Sequence, residues 1–328
     1  MFSMRFDLRA PDFGAPIADL YRAAVEMVEW GERNGCVVAS VSEHHASPDG
    51  YLPSPLLVAA AFAARTRRLP IQVSAVLLPL HDPIELAEQM AVLDILSGGR
   101  VSYVCGLGYR PEEYAMFGRE MKGRGRRLEV CIEVLRRAFR GETFDFEGRR
   151  VRVTPAPLTP GGPALLLGGG TPATARRAGR LGLGMLAQGG DPSLEAIYRA
   201  ACAEAGHAPG IFIQPRPGTV MSAFVSEDPE RAWRELGPYL LHDAHMYAAW
   251  LGSAGAASKS TAGDVDALRA ENGSYRIFTP AEAVAYVREH GVLLTQPVCG
   301  GLPPELAWPS LELIAGKVMP ALALPART

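Results

Sequence analysis

The chain has 328 residues, 48% of them hydrophobic and 21% charged, with a formal net charge of −2. That balance supplies an ample core for a large α/β domain and is not the composition of a disordered chain. No run of Lys and Arg is long enough to track a phosphate backbone, so nucleic acid is not expected as a partner and a small ligand is.

Residues 4–8 read as a strand, and 19–31 as a helix with Leu20, Ala24, Met27 and Val28 at helical spacing. Gly35 restarts a strand over 36–42. Strands at 71–77 and 101–106 alternate with helices at 54–65 and 83–96, the latter opened by Pro83 in a first-turn position. Leu128, Ile132, Leu135 and Phe139 predict a helix over 126–140, closed by Gly141. A small hairpin around Glu147-Gly148 falls within 144–153, and strands recur at 164–167, 185–188, 220–225 and 292–298.

Eight strands alternating with helices, in a chain longer than the roughly 250 residues typical of the fold, give the expected class: α/β, a (β/α)8 TIM barrel. A single domain over 1–328 is expected, with an insertion before the last strand. A doubly wound sheet competes, but no Gly-x-Gly-x-x-Gly follows the first strand. The insertion, 252–273, is rich in Gly, Ala, Ser and Thr and long for a connection; a mobile lid and a disordered surface segment both stay open.

The cysteines Cys36, Cys105, Cys131, Cys202 and Cys299 are odd in number and widely spaced, as reduced thiols are. The N-terminus shows no basic segment leading into an apolar stretch, and the longest apolar run, 56–64, is too short to cross a bilayer. A cytoplasmic protein with no membrane partner is expected.

In a barrel the reacting groups sit at the C-terminal ends of strands. Glu43, His44 and His45 end the second strand, and alternation puts Glu43 and His45 on one side and His44 on the other unless the loop has already begun. A histidine there either moves protons or is simply satisfied by hydrogen bonds, and spacing leaves both open. Zinc is disfavoured because adjacent ligands on a strand diverge and no His-Glu-x-x-His occurs. Ser74 and Ala75 lie in the third strand, Cys105 ends the fourth, and Gly168-Gly169-Gly170-Thr171-Pro172-Ala173-Thr174 joins the fifth to a helix. That glycine run offers N–H groups and the hydroxyls of Thr171 and Thr174 to a phosphate, though a turn needing positive φ explains it equally. Cys105, within Val-Cys-Gly, reads first as packing. His242, Asp243, His245 and Tyr247 end a helix and either line a pocket or form a solvated face.

Several motifs carry a resemblance together. They are Ser42-Glu43-His44-His45, the stretch 76–83 (Val-Leu-Leu-Pro-Leu-His-Asp-Pro), Glu88-Gln89 through Leu93-Asp94-Ile95-Leu96-Ser97-Gly98-Gly99-Arg100, Tyr109-Arg110-Pro111-Glu112-Glu113-Tyr114 with Phe117-Gly118, Phe146-Glu147-Gly148, and Gly168-Gly169-Gly170-Thr171. In this ordered set the chain resembles the bacterial luciferase-like flavin monooxygenases from about residue 4 to about residue 190.

The resemblance implies a (β/α)8 barrel holding FMN or a deazaflavin coenzyme in its mouth. By position, Gly169, Gly170, Thr171 and Thr174 would hold the flavin phosphate, and Ser74-Ala75 would form a non-prolyl cis peptide against the isoalloxazine ring. His44 would be the active-site histidine near the reactive edge, with Glu43 and His45 orienting it. Cys105 falls where the luciferase α subunit has a reactive cysteine. Gly106 replaces an arginine that contacts the phosphate, and Arg110 is the candidate substitute. Tyr109, His245 and Tyr247 would line the substrate pocket, Tyr109 also meeting the flavin.

The implied activity is oxidation of a small apolar aldehyde, ketone or similar molecule with reduced FMN and O2 through a flavin hydroperoxide. A separate reductase would supply the reduced flavin, since no nicotinamide fingerprint is present. Hydride transfer with a deazaflavin, without O2, is the alternative. A non-catalytic flavin-binding subunit is a third, opposed by the presence of Glu43, His44 and Cys105. The family's habit of pairing through helices near the second and third strands implies a homodimer.

Overall fold

The computed structural model describes residues 1–189, 191–216, 218–251 and 259–323. Residues 1–40, 47–52 and those from 215 onward form one compact unit; residues 41–46 and 53–214 form a second.

The first unit opens with β1 (Phe2–Phe6), α1 (Ile17–Arg33) and β2 (Cys36–Val41). Leu20, Ala23, Ala24, Met27, Val28 and Gly31 make the buried stripe of α1, as the helical spacing requires. β1 lies two residues before its expected span, and it ends at Phe6 because Asp7 and Arg9 turn into a buried ionic cluster.

The second unit runs through α2 (Pro55–Arg65), β3 (Ile71–Leu77), α3 (Pro83–Ser97), β4 (Val101–Gly106), the short α4 (Pro111–Met116) and α5 (Arg124–Phe139). A hairpin of β5 (Phe144–Phe146) and β6 (Arg149–Val151) follows, turning at Glu147 and Gly148 as expected. Then come β7 (Leu165–Gly168), α6 (Pro172–Arg180), β8 (Gly184–Leu186), α7 (Ser193–Glu204) and β9 (Phe212–Ile213). Strands β3, β4, β7, β8 and β9 pair in that order, all parallel. Helix α3 starts where Asp82 accepts from the N–H groups of Ile84 and Glu85, and stops at Gly98 with φ 68°.

The first unit resumes with β10 (Ser222–Val225), α8 (Pro229–Leu251), α9 (Val265–Ala270), β11 (Tyr275–Phe278), α10 (Pro280–His290), β12 (Leu293–Thr295) and α11 (Pro304–Leu313). Its strand order is β11-β10-β12-β1-β2, with parallel register between β10 and β11, β10 and β12, and β1 and β12.

This is the expected α/β alternation, with β9 and β11 added. Residues 252–258 of the expected lid lie outside the described residues. The remainder of that stretch includes α9, whose N-cap Asp264 accepts from the Ala267 N–H and whose Leu268 is buried. Among the described residues no helix is long and apolar enough to cross a membrane.

Candidate active site

Just past β2, alternation of side chains persists through the loop and sorts the three titratable residues into two groups within the second unit. His44 is buried, and both its ring nitrogens are engaged. Nδ1 lies 2.7 Å from Glu113 Oε1, and Nε2 lies 3.0 Å from the Tyr109 hydroxyl, with the two rings edge to face at 5.2 Å. Glu113 comes from α4 and is completely buried; the same Oε1 accepts the His45 N–H at 3.0 Å and Arg110 Nη1 at 3.4 Å. Its Oε2 has no hydrogen-bond partner among the described residues.

Glu43 and His45 point the other way. Glu43 Oε1 accepts from His45 Nε2 and His81 Nε2, both at 2.7 Å, and Oε2 accepts from the Leu77 N–H at 2.7 Å. Burial alone would push this carboxyl up; the charge on His81 and the three hydrogen bonds outweigh it and hold the pKa lowered to about 2. His81 is correspondingly raised, since Glu43 more than offsets the effect of its own burial. Glu43 therefore fastens the loop to β3, and the carboxylate that orients His44 is Glu113.

The strand ends supply the rest of the wall. The Ser74–Ala75 peptide is cis, and the β3–β4 register slips between Ser74 and Val76, leaving Ser74 and Ala75 half-buried. Cys105 is fully buried, and that burial, with Cys131 adding to it, pushes its thiol up to about 12. Gly106 explains the missing arginine: a Cβ there would sit 2.9 Å from the Ala75 Cβ and 3.2 Å from Leu77 Cδ2. Arg110, the candidate substitute, is buried and donates to the His45 carbonyl at 2.5 Å and the Ala46 carbonyl at 3.5 Å. It braces the histidine loop.

Beyond β7, Gly169 adopts φ 145°, and a Cβ on it would meet Thr174 Oγ1 at 2.9 Å. Thr171 caps α6, its hydroxyl accepting from the Thr174 N–H at 3.2 Å and lying 3.0 Å from the Thr174 hydroxyl. A Cβ placed on Gly170 would be in ordinary contact with the Gly189 nitrogen at 3.8 Å and the Gln188 Cβ at 3.9 Å. Bare backbone at a helix N-terminus beside two hydroxyls fits an anionic phosphate without an arginine. Thr174 itself is buried, so its hydroxyl serves the turn first.

The other polar group of the sequence, 242–247, lies in α8 in the first unit. There Arg9 is wholly buried, with Nε 3.2 Å from Asp7 Oδ2 and 3.0 Å from Asp243 Oδ1, and Nη1 2.7 Å from Asp49 Oδ2. Its guanidinium carbon sits 4.6, 5.1 and 4.4 Å from the ring centres of Tyr51, Tyr247 and Trp250. Tyr275 donates to Asp243 Oδ2 at 2.7 Å and Gln296 Nε2 donates to Asp7 Oδ2 at 2.7 Å. Burial, then the neighbouring Asp243, raises Asp7 to about 7 against the pull of Arg9 and Arg5. Tyr247 thus packs on an ion cluster, bonded through its hydroxyl to Tyr51 at 3.1 Å, and His245 Nε2 lies 2.6 Å from the Ala262 carbonyl oxygen. Tyr109 belongs to the second unit, with His44.

The fold and site define an α/β chain of parallel strands with a buried imidazole held past its second strand, and the comparisons say which family it belongs to. A family model described as luciferase-like monooxygenase matches residues 4–283, so the chain belongs to that family. It is 32% identical over 150 residues to limonene 1,2-monooxygenase of Rhodococcus erythropolis, covering 43% of this chain and 39% of that protein. It is also 32% identical over 181 residues to the F420-dependent glucose-6-phosphate dehydrogenase of Nocardia farcinica, covering 52% and 54%. The first curated relatives are matched over 42–48% of their own length, so the chain spans less than half of them. Among solved structures, monooxygenase RslO1 from Streptomyces bottropensis superposes with a TM-score of 0.78 at 25% identity, over 98% of this chain and 99% of that one. The oxygenating constituent of 3,6-diketocamphane monooxygenase from Pseudomonas putida, in complex with FMN, gives 0.73 at 19% identity over 99% of both, which shows a shared fold.

Proposed function

We propose that the chain is a flavin-dependent monooxygenase that uses reduced FMN and O2 to oxidise a small apolar organic molecule such as an aldehyde or ketone. The observation that carries this reading is His44, fixed between Glu113 and Tyr109 at the end of β2 in a chain of the luciferase-like family. FMN would supply the redox chemistry. The chain's own part is to hold the phosphate at Gly169, Gly170, Thr171 and Thr174, to set Ser74-Ala75 and Cys105 beside the ring, and to hold and move a proton at His44 Nε2. Glu43 and His45 keep the histidine loop in place, and Tyr109 is the residue of the second unit assigned to substrate. A separate reductase would deliver the reduced flavin.

A deazaflavin enzyme transferring hydride without O2 is the second reading, favoured by the likeness to the F420-dependent dehydrogenase. Equilibrium binding of FMN and of the deazaflavin, followed by oxygen uptake with reduced FMN and trial substrates, separates the two. Turnover with the deazaflavin alone would overturn the monooxygenase reading, and unchanged turnover in His44→Ala would point to a non-catalytic flavin-binding subunit.

The chain is also assigned a homodimer through α2 and α3. Leu57 (73% exposed) and Leu96 (54%) stand on these helices beside a cavity of about 520 Å3 that both line, an apolar face that pairing would cover. Light scattering on wild type and Leu57→Asp tests it; a wild-type monomer at micromolar concentration would refute it.

A further inference from the structure

We propose that Arg5 anchors an oxyanion-binding site in the first unit, which takes the carboxylate of an aromatic or other apolar organic acid, and that Asp7 takes up a proton when the site fills.

Two arginines share the buried cluster around Asp243, and they are unequally satisfied. Arg9 is wholly buried and closed by three carboxylates, 3.2 Å from Asp7, 2.7 Å from Asp49 and 3.0 Å from Asp243. Arg5, on β1, has one carboxylate at the outer limit of an ion pair: Asp243 Oδ2 at 3.9 Å, an oxygen that already accepts from Tyr275 at 2.7 Å. Arg5 Nη2 donates to Gln296 Oε1, while its Nε is buried with no hydrogen-bond partner among the described residues. A buried guanidinium N–H left unbonded is destabilising, and a carboxylate is the group whose two oxygens match a guanidinium edge. The Arg5 side chain is 20% exposed and that of Arg9 0%, so Arg5 is the one of the two that a ligand reaches.

The surroundings select the anion. The Tyr247 ring lies 5.8 Å from the Arg5 guanidinium carbon, and Trp250 packs edge to face on both Tyr51 and Tyr247 at 5.8 Å, an aromatic wall for an apolar body. The carboxylates of Asp49 and Asp243 already stand in the cluster, so a monoanion is accommodated at Arg5 and a phosphate dianion is repelled.

Asp7 is placed to answer the ligand's charge. Gln296 joins it to Arg5: the Gln296 Oε1 that takes Arg5 Nη2 also accepts from the Ser222 hydroxyl at 2.7 Å, and its Nε2 donates to Asp7 Oδ2 at 2.7 Å. Facing Asp7 are Arg5 and Arg9 from its own segment, Asp243 and Tyr247 from α8, Tyr51 from the stretch after β2 and Cys299 from beyond β12. Asp49, 2.9 Å from His242 Nε2, holds the Nη1 end of Arg9. Burial raises the two phenols and the thiol, so they stay uncharged near pH 7. Burial and Asp243 bring Asp7 itself to about 7 against the pull of Arg9 and Arg5. An anion on Arg5 cancels part of that pull and raises Asp7 further. The filled site therefore holds more protons than the free one, and affinity is full below pH 7 and falls as pH rises above it.

Calorimetric titration of the wild-type protein with benzoate tests the site, with benzamide as its uncharged counterpart and inorganic phosphate as the competing oxyanion. At pH 6 benzoate is expected to bind at least about tenfold more tightly than either, and to weaken by about threefold to tenfold between pH 6 and pH 8. At pH 7, titrations in two buffers of unlike ionisation heat are expected to show uptake of up to about half a proton per benzoate. Asp7→Asn should still bind benzoate, with the proton uptake and the pH dependence gone. Arg5→Met should lose at least about tenfold in benzoate affinity with benzamide unchanged; the wild-type arms decide if that variant fails to fold. No binding at millimolar benzoate, or equal affinity for benzamide or phosphate, overturns the site. Benzoate bound without proton uptake overturns the role of Asp7. No flavin enters these titrations, so their outcome and that of the monooxygenase reading are independent.

Discussion

Replacing Asp7 by Asn should stabilise the protein at neutral and mildly alkaline pH, although it removes a buried acidic group from an arginine. Burial and Asp243 raise Asp7 to about 7 in the folded chain, whereas the unfolded side chain keeps its ordinary value of 3.8. Between those values the unfolded state releases a proton that the folded state retains, so folding stability falls as pH rises through this window. The slope approaches about 1.4 kcal/mol per pH unit, and over roughly three units the loss reaches up to about 4 kcal/mol. Asn carries the same shape as the protonated acid and still accepts from Gln296 and Arg9 Nε through its carbonyl, giving up only the long 3.4 Å acceptance from the Arg9 N–H. Urea unfolding midpoints at pH 5, 6, 7 and 8 check this. The stability difference between Asp7→Asn and wild type should grow with pH up to about 7 and then level off, with slope m unchanged. A difference independent of pH, or one that shrinks as pH rises, refutes the reasoning.

Glu43→Gln should behave with the opposite sign. Its folded carboxyl is lowered to about 2, so its contribution is full above its ordinary value of 4.5 and is lost as pH falls toward 2. Thermal unfolding should show a loss of about 3 kcal/mol at pH 7 that fades as the pH approaches 3; an equal loss at both ends would count against it. Arg9→Met leaves Asp7, Asp49 and Asp243 facing one another and removes the cation from three rings, so denaturant titration at pH 7 should register about 3–5 kcal/mol of destabilisation. Gly106→Ala drives a methyl to 2.9 Å from Ala75, and the same titration should register a loss of about 1–3 kcal/mol; wild-type stability would mean that β3 yields more easily than its packing suggests.

The parts of this molecule that were legible in sequence are those governed by local periodicity. The helix expected over 126–140 from Leu128, Ile132, Leu135 and Phe139 is found at Arg124–Phe139, because an amphipathic stripe needs only its own neighbours to show. The separation of His44 from Glu43 and His45 was likewise legible, since strand alternation carries past Val41. What orients His44 was not. Its partner Glu113 lies 69 positions along the chain, and the Arg9–Asp243 pair spans 234, distances over which a single sequence states no pairing. Arg110 was open to a phosphate-binding reading for the same reason: nothing in its surroundings in sequence reveals that two loop carbonyls and a carboxylate already occupy its guanidinium.

Glu43 and Asp7 make the physical reason plain. Both are acids next to the C-terminal end of a strand, both are almost wholly buried, and desolvation pushes both carboxyls upward. They part because of what faces them. Glu43 accepts from two imidazoles and a backbone N–H, all of which favour its charged form. Asp7 is raised first by its burial and then by the neighbouring Asp243, against the pull of Arg9 and Arg5. The identity of an acid and its place on a strand therefore do not determine its charge at neutral pH; the balance of donors and acceptors around it does, and that balance is assembled only by the tertiary fold.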